Sequence, residues 1–189
     1  MARTESAMIA LGTQAPEFVL DDVTTGKPVS TKQLARERGL LVMFICRHCP
    51  FVKHIEAELA KLGKDYQHNE IGIVAISSND PETHPDDAPA SLEQQAKQAG
   101  FTFPYLFDQT QEVARAYDAT CTPDFFLFDS QLHLVYRGQF DDSRPENGIA
   151  VTGRDLCSAL DALLQGKPVS QHQRPSLGCN IKWRTVACE

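Results

Sequence analysis

Six apolar residues in succession, Leu40-Leu41-Val42-Met43-Phe44-Ile45, run without a break into Cys46-Arg47-His48-Cys49-Pro50, and few folds accommodate that junction. An unbroken apolar segment of strand length has no polar face to give to water, so it belongs in the middle of a sheet covered on both sides. After the cysteines the period changes. Val52, Ile55, Leu59 and Leu62 recur at three- and four-residue intervals with Lys53, Glu56, Glu58 and Lys61 between them, which predicts an amphipathic helix. The order of inner strand, paired cysteines and helix puts both thiols near the amino end of a helix, at the carboxyl edge of a buried sheet.

The rest of the chain reads as further strands and helices. Residues 18–20 predict a short strand, followed by a turn at Thr24-Thr25-Gly26-Lys27 and a helix start near Ser30, together an N-terminal extension. Residues 71–76 predict a second buried strand. Residues 79–90 are rich in Pro and Asp and predict a loop, in which Asp80, Glu82, Asp86 and Asp87 form a solvated acidic face without EF-hand spacing. Ser91 with Gln94 predicts a helix cap, and residues 110–117 another helix. Cys121-Thr122-Pro123 then leads into a hairpin of residues 125–128 and 132–136, turning at Asp129-Ser130. Thr152 with Asp155 predicts the cap of a last helix that carries Leu156, Leu160 and Leu163 on one face and stops at Gly166 and Pro168. Residues 171–189 show no period and read as an irregular tail packed on or near the rest. Without a repeat, a low-complexity tract or a boundary, residues 1–189 read as a single domain.

Composition narrows the function classes. A chain of 189 residues with 42% apolar and 23% charged residues suits one folded core. The formal net charge of −7, spread along the chain, argues against nucleic acid or an anionic membrane as partner. One early Arg and a short apolar stretch at residues 7–11 fall short of a signal peptide or a spanning helix, so the sequence is read as cytoplasmic. Six unevenly spaced cysteines do not suit a secreted disulfide scaffold; in a reducing compartment, cysteines at motif spacing point to redox or metal chemistry.

Redox use of Cys46 and Cys49 has a physical basis. The thiolate is the nucleophile, and a helix amino end supplies unpaired N–H groups and a positive dipole end that lower a thiol's pKa. Two cysteines three apart can close a small disulfide ring, one attacking and the other resolving. Arg47 adds positive charge, and a protonated His48 favours the thiolate; solvent-facing positions are the plainer reading of His48 and His54. Pro50 leaves two placements open. Proline is favoured at the first helical position, so Cys49 is then the N-cap; alternatively the helix starts at Cys46 and Pro50 falls in its first turn.

Cys46-Arg47-His48-Cys49-Pro50-Phe51-Val52-Lys53-His54, Thr122-Pro123-Asp124-Phe125-Phe126 and Gly178-Cys179-Asn180-Ile181-Lys182-Trp183 carry a resemblance over most of the chain. In these segments the sequence resembles the thioredoxin superfamily, in particular the alkyl hydroperoxide reductase/thiol-specific antioxidant (redoxin) branch, and within it a peroxiredoxin-like group. The resemblance implies an α/β thioredoxin-like fold with a central mixed sheet flanked by helices, and a cofactor-free thiol-disulfide oxidoreductase acting on protein or small thiols. A thioredoxin- or glutathione-type reductant is implied as partner. It further implies Cys46 as the exposed nucleophile, a cis Pro123, and Thr122 offering backbone groups to an extended substrate.

Thiol peroxidase activity, with Cys49 or Cys46 as the peroxidatic residue, is the second reading. Aligned on Cys49, however, Val42 stands where peroxiredoxins have Pro, Cys46 where they have Thr, and Pro123 where they have Arg, so slow peroxide reduction is expected. Arg47, Arg115 and Arg137 remain as substitute donors. Cys121, on the loop facing the motif, and Cys179, in the tail, are candidate resolving thiols; Cys179 as a small buried residue under Trp183 is the alternative. Cys157 reads as core and Cys188 as inert. A third reading is a non-catalytic metal-binding or interaction module, with Cys46, Cys49, Cys121 and one of His48 or Cys179 around zinc. It ranks below redox use because no second closely spaced ligand pair exists, and no metal is expected. The polar stretch 137–145 either borders the site or is ordinary turn chemistry.

Overall fold

A computed structural model describes residues 3–185, and Cys188 lies outside them. Along the described chain run β1 (Arg3–Glu5), β2 (Val19–Asp22), β3 (Pro28–Ser30), α1 (Thr31–Leu34), β4 (Gly39–Phe44), α2 (Pro50–Tyr66), β5 (Ile71–Ser77), α3 (Pro89–Ala99), β6 (Tyr105–Phe107), α4 (Glu112–Ala116), β7 (Cys121–Thr122), β8 (Asp124–Phe128), β9 (Leu134–Gly138), α5 (Arg154–Leu164) and β10 (Leu177–Asn180). A single 3₁₀ turn, Pro85–Asp87, precedes α3.

Seven strands form one mixed sheet in the order β3-β2-β6-β5-β4-β8-β9. β4, β5 and β6 are parallel, while β8 joins β4 antiparallel with Val42 opposite Phe126. The apolar run explains the placement of β4. Leu41, Met43 and Ile45 enter one core with Val52, Ile55 and Leu59 of α2 and Leu156 and Leu160 of α5. Leu40, Val42 and Phe44 enter the other, with Leu34, Phe126, Phe128 and Tyr117. Each such side chain contributes about 1.5–3 kcal/mol on burial, and with both faces covered every residue of β4 contributes.

Three local readings are corrected by tertiary partners. α3 starts at Pro89, ahead of Ser91: proline at the first helical position presets the backbone, and Ala88 is the N-cap. The Gln94 carboxamide meant for the cap instead accepts from Arg47 Nη1 at 2.9 Å. α5 is capped by Gly153 in the left-handed region, not by Thr152 with Asp155. The reason is Asp141, whose Oδ2 accepts from both the Thr152 and Gly153 N–H groups, at 2.6 and 2.7 Å. The tail, finally, contains β10, which lies between β1 and β7 in a small antiparallel sheet. Four residues are too few for a period to register in the sequence.

Candidate active site

α2 begins where proline allows it to. Pro50 occupies the first helical position, Cys49 is the N-cap in extended conformation, and the Lys53 N–H closes the first helical bond to the Cys49 carbonyl at 3.0 Å. No side chain caps this end, so the free N–H groups of the first turn face the Cys49 side of the motif. Cys46 therefore sits on the connection between β4 and the cap, outside the helix. It is not the exposed residue expected: Cys46 and Cys49 are both fully buried.

What buries them is the loop around Pro123 and the strand β10. The Thr122-Pro123 bond is cis, as the resemblance implies. Thr122 Oγ1 lies 3.2 Å from Cys46 Sγ, and the Thr122 carbonyl oxygen lies 3.2 Å from Cys49 Sγ. Across from Thr122 in the β7–β10 ladder stands Cys179, whose Sγ is 3.0 Å from Cys49 Sγ. Three thiols thus share one pocket. No disulfide joins the described cysteines.

Their acidities diverge for identifiable reasons. Hydrogen bonds from Cys179 and from Cys46 outweigh burial and hold Cys49 well below the ordinary thiol range. Burial, the hydrogen bond to Cys49 and the nearby Asp87 charge push Cys46 up. Its hydrogen bond to Cys49, followed by burial, pushes Cys179 up. Of the three, Cys49 is the one whose neighbours and helix position favour the thiolate.

His48 is tied to Asp87 beside Cys46, and Arg47 takes a role other than that expected. His48 Nδ1 is 2.5 Å from Asp87 Oδ2 and 3.8 Å from Cys46 Sγ. The Arg47 guanidinium turns away to the Ser91 carbonyl and Gln94, at 3.0 and 2.9 Å, and adds no charge to the thiols. Asp87 organises the loop: its carboxylate accepts from the N–H groups of Arg47 and His48 and from Asn79 Nδ2, at 2.8, 3.1 and 2.8 Å. Burial raises this carboxyl, but the hydrogen bonds of His48 and Asn79 prevail and hold it below the usual carboxylate range. Asp87 is fully buried and Asp80 nearly so, so neither belongs to a solvated face; Asp80 pairs with Arg184 at 3.3 Å. Asp87 and Asn79 were not among the candidate site residues. In sequence nothing separates Asp87 from the exposed Asp86 beside it.

Other candidates fall away from the site. Cys121 does not face the motif: neighbouring strand residues point to opposite faces, Thr122 takes the motif face, and Cys121 Sγ contacts the Pro123 carbonyl at 3.7 Å. Burial pushes its thiol up. The zinc set that includes Cys121 therefore does not converge. Among the described residues, Cys46, His48 and Asp87 bring ligand atoms within 4.8 Å of one another, with His48 Nδ1 engaged by Asp87. Cys179 is buried against Cys49, while Trp183 is partly exposed beneath the Arg115 guanidinium at 4.4 Å. Arg137 is fully buried and bonded to Asp124 and the Asp118 carbonyl. Cys157 is half-buried against one core, and His54 bonds Ser143 Oγ at 2.7 Å. Phe51, His54, Pro123, Ser143, Arg144 and Leu177 line a shallow cleft beside the site, so part of the 137–145 stretch does border it.

A mixed sheet, a cysteine pair at a helix amino end and a cis proline across from it define a thioredoxin-like oxidoreductase. The thioredoxin domain of a thiol-disulfide oxidoreductase from Bacteroides vulgatus shares this fold, with a TM-score of 0.57 and 18% identity over 69% of this chain and 89% of that one. Residues 11–137 match the AhpC/TSA family, and the chain belongs to it. It is 28% identical over 126 residues to thiol-disulfide oxidoreductase ResA of Geobacillus thermodenitrificans, 67% of each chain. A crystal structure of an uncharacterized conserved protein from Geobacillus kaustophilus superposes with a TM-score of 0.97, at 52% identity over 99% of both chains. Among the described residues no helix is long and apolar enough to cross a membrane.

Proposed function

We propose that this protein exchanges thiols and disulfides through Cys46 and Cys49, with Cys49 as the attacking thiolate. The observation that carries this reading is the Cys49 sulfur at the N-cap of α2, 3.0 Å from Cys179 Sγ. Attack by Cys49 on a disulfide gives a mixed disulfide and releases one thiolate; Cys46, its proton lost, attacks the Cys49 sulfur and releases the second. The thiolate released in the first step takes that proton; His48 Nδ1, 3.8 Å from Cys46 Sγ, is occupied by its bond to the Asp87 carboxylate. A thioredoxin- or glutathione-type thiol then restores the pair. The likeness to ResA supports this chemistry over the peroxidase reading. So do the three arginines: Arg47, Arg115 and Arg137 are committed to α3, Trp183 and Asp124, away from the sulfurs.

The test is mixed-disulfide formation with a small chromogenic disulfide. Cys49→Ser is expected to lose roughly 100-fold or more in the first step, because a serine hydroxyl is not ionised at neutral pH, while Cys46→Ser keeps it. The reverse pattern overturns the assignment. Fast reduction of hydrogen peroxide, lost in Cys49→Ser, would put the peroxidase reading first.

A further inference from the structure

We infer that Cys179 is a third redox thiol, carried by β10 in the place an extended substrate strand would take, and that it resolves disulfides on Cys49 within the chain. This rests on the reading of Cys49 as the attacking thiolate.

Three observations carry it. β7 immediately precedes Pro123, and its outer edge is where a polypeptide substrate would add a strand beside the thiols. That edge is already filled: β10 pairs with it antiparallel, Cys179 opposite Thr122 and Asn180 opposite Cys121, and β1 covers β10 in turn. The expectation that Thr122 offers its backbone to an incoming chain is therefore corrected, since the protein's own tail pairs with it. The second observation is distance. At 3.0 Å, Cys49 Sγ and Cys179 Sγ are in contact, so a bond of about 2.05 Å between them needs an approach of only about 1 Å.

The third is that β10 is tied down on both sides of Cys179. Gly178 lies so close to β7 that a Cβ there would stand 2.0 Å from the Thr122 carbonyl oxygen. Beyond Cys179, the Ile181 N–H bonds the Thr120 carbonyl at 3.0 Å, and the Lys182 N–H bonds Asn79 Oδ1 at 2.8 Å. Asn79 is also the residue that holds Asp87, so one side chain fixes both the tail and the loop behind Cys46. Cys179 is thus a resident of the site, held by backbone register.

The chemistry balances with a low-molecular-weight disulfide, RSSR, as oxidant. Cys49 thiolate attacks one sulfur, forms Cys49–S–S–R and expels RS⁻. The Cys179 proton passes to that RS⁻, and the Cys179 sulfur attacks the Cys49 sulfur, forming Cys49–S–S–Cys179 and expelling the second RS⁻. Two thiols of the protein are oxidised and one disulfide is reduced to two thiols. Cys46 can then displace Cys179 from Cys49, which moves the disulfide to the CxxC pair without change in oxidation state. With the strand position filled, small disulfides are the fitting substrate class, entering without pairing to β7.

Oxidised glutathione tests this on the full chain, followed by alkylation and peptide mass spectrometry; trypsin cuts after Arg47, Lys182 and Arg184, so Cys46, Cys49, Cys179 and Cys188 fall on separate peptides, and fragmentation separates Cys179 from Cys157, which shares its peptide because Lys167 and Arg174 precede proline. The expected result is a Cys49–Cys179 disulfide in Cys46→Ser, with two glutathione thiols released per chain. Cys46→Ser/Cys179→Ser should stop at glutathione on Cys49, with one released. Glutathione persisting on Cys49 in Cys46→Ser, with Cys179 still alkylatable, overturns the inference and leaves the Cys49 assignment standing. Absence of glutathione from Cys49 in the double variant overturns the assignment itself. The wild-type chain gives an independent readout if a variant fails to fold: partial oxidation should yield both 46–49 and 49–179 peptide pairs, and the first pair alone counts against a role for Cys179.

Discussion

Two buried polar clusters flank Pro123, and burial has opposite consequences in them. On one side stand the thiols of Cys46, Cys49 and Cys179 around Thr122; on the other, Asp124 pairs with Arg137 at 3.1 Å, both side chains wholly buried. Arg137 also donates to the Asp118 carbonyl at 2.7 Å and lies 4.3 Å over the Phe126 ring. Burial pushes Asp124 up to about 7 despite the opposing Arg137 charge. Cys49, also buried, is held down. Its stabilisers are thiols, which can give up their protons and form bonds in turn, whereas Asp124 is matched to a permanent cation that can only hold it. Burial alone decides neither acidity nor reactivity; the chemistry of the neighbouring group does.

The sharpest way to break this contrast is to remove the cation. Arg137→Ala should cost about 3–5 kcal/mol, because Asp124 and the Asp118 carbonyl lose their buried donor and the side chain's volume is left empty; urea unfolding measures it, and the thiol exchange rate of the folded protein should be unchanged. A loss below about 1 kcal/mol would mean that the pair is not structural. pH sharpens the same point. The folded-state pKa of Asp124 is about 7, above the value of about 3.9 for an unfolded chain. Between these values the folded state holds a proton that the unfolded state has released, so stability falls as pH rises from about 4 to about 7. Relative to Asp124→Asn, the wild type should lose up to about 1.4 kcal/mol per pH unit in that window.

Asp87→Asn should act more moderately and on the other cluster. Weakening the bonds from Arg47, His48 and Asn79 should cost about 1–3 kcal/mol, read again by urea. Since the Asp87 charge raises Cys46, its loss should move Cys46 alkylation to lower pH. An unchanged profile would place Asp87 in the loop's architecture alone. The smallest effect is expected at Cys121, which is as buried as Cys49 but turns its sulfur to the Pro123 carbonyl, away from the motif. Cys121→Ala should leave exchange with small disulfides within roughly twofold, as for a cysteine serving as a small apolar residue. A larger loss in stopped-flow assays would return Cys121 to the site.

The inner strand, the amphipathic α2 and the hairpin after Pro123 were legible because each is written in the period of its own residues. Caps were less legible: Ser91 and Thr152 have suitable side chains, yet Pro89 and the distant Asp141 outcompete them.

The same division runs through the site. By itself the sequence determined that an inner strand ends in two cysteines and that a helix follows, which rests on side-chain periodicity and is local; the fixed φ of Pro50 allowed two helix starts, and the structure selects the one with Cys49 as cap. Only the tertiary structure decided that Cys179 meets Cys49 across 130 residues of chain, that Thr122 rather than Cys121 faces them, and that Asp87 lies behind His48. Those positions depend on strand register and on a loop folded back over it, and no period within a four-residue strand or a proline-rich turn encodes which side chain reaches the thiols.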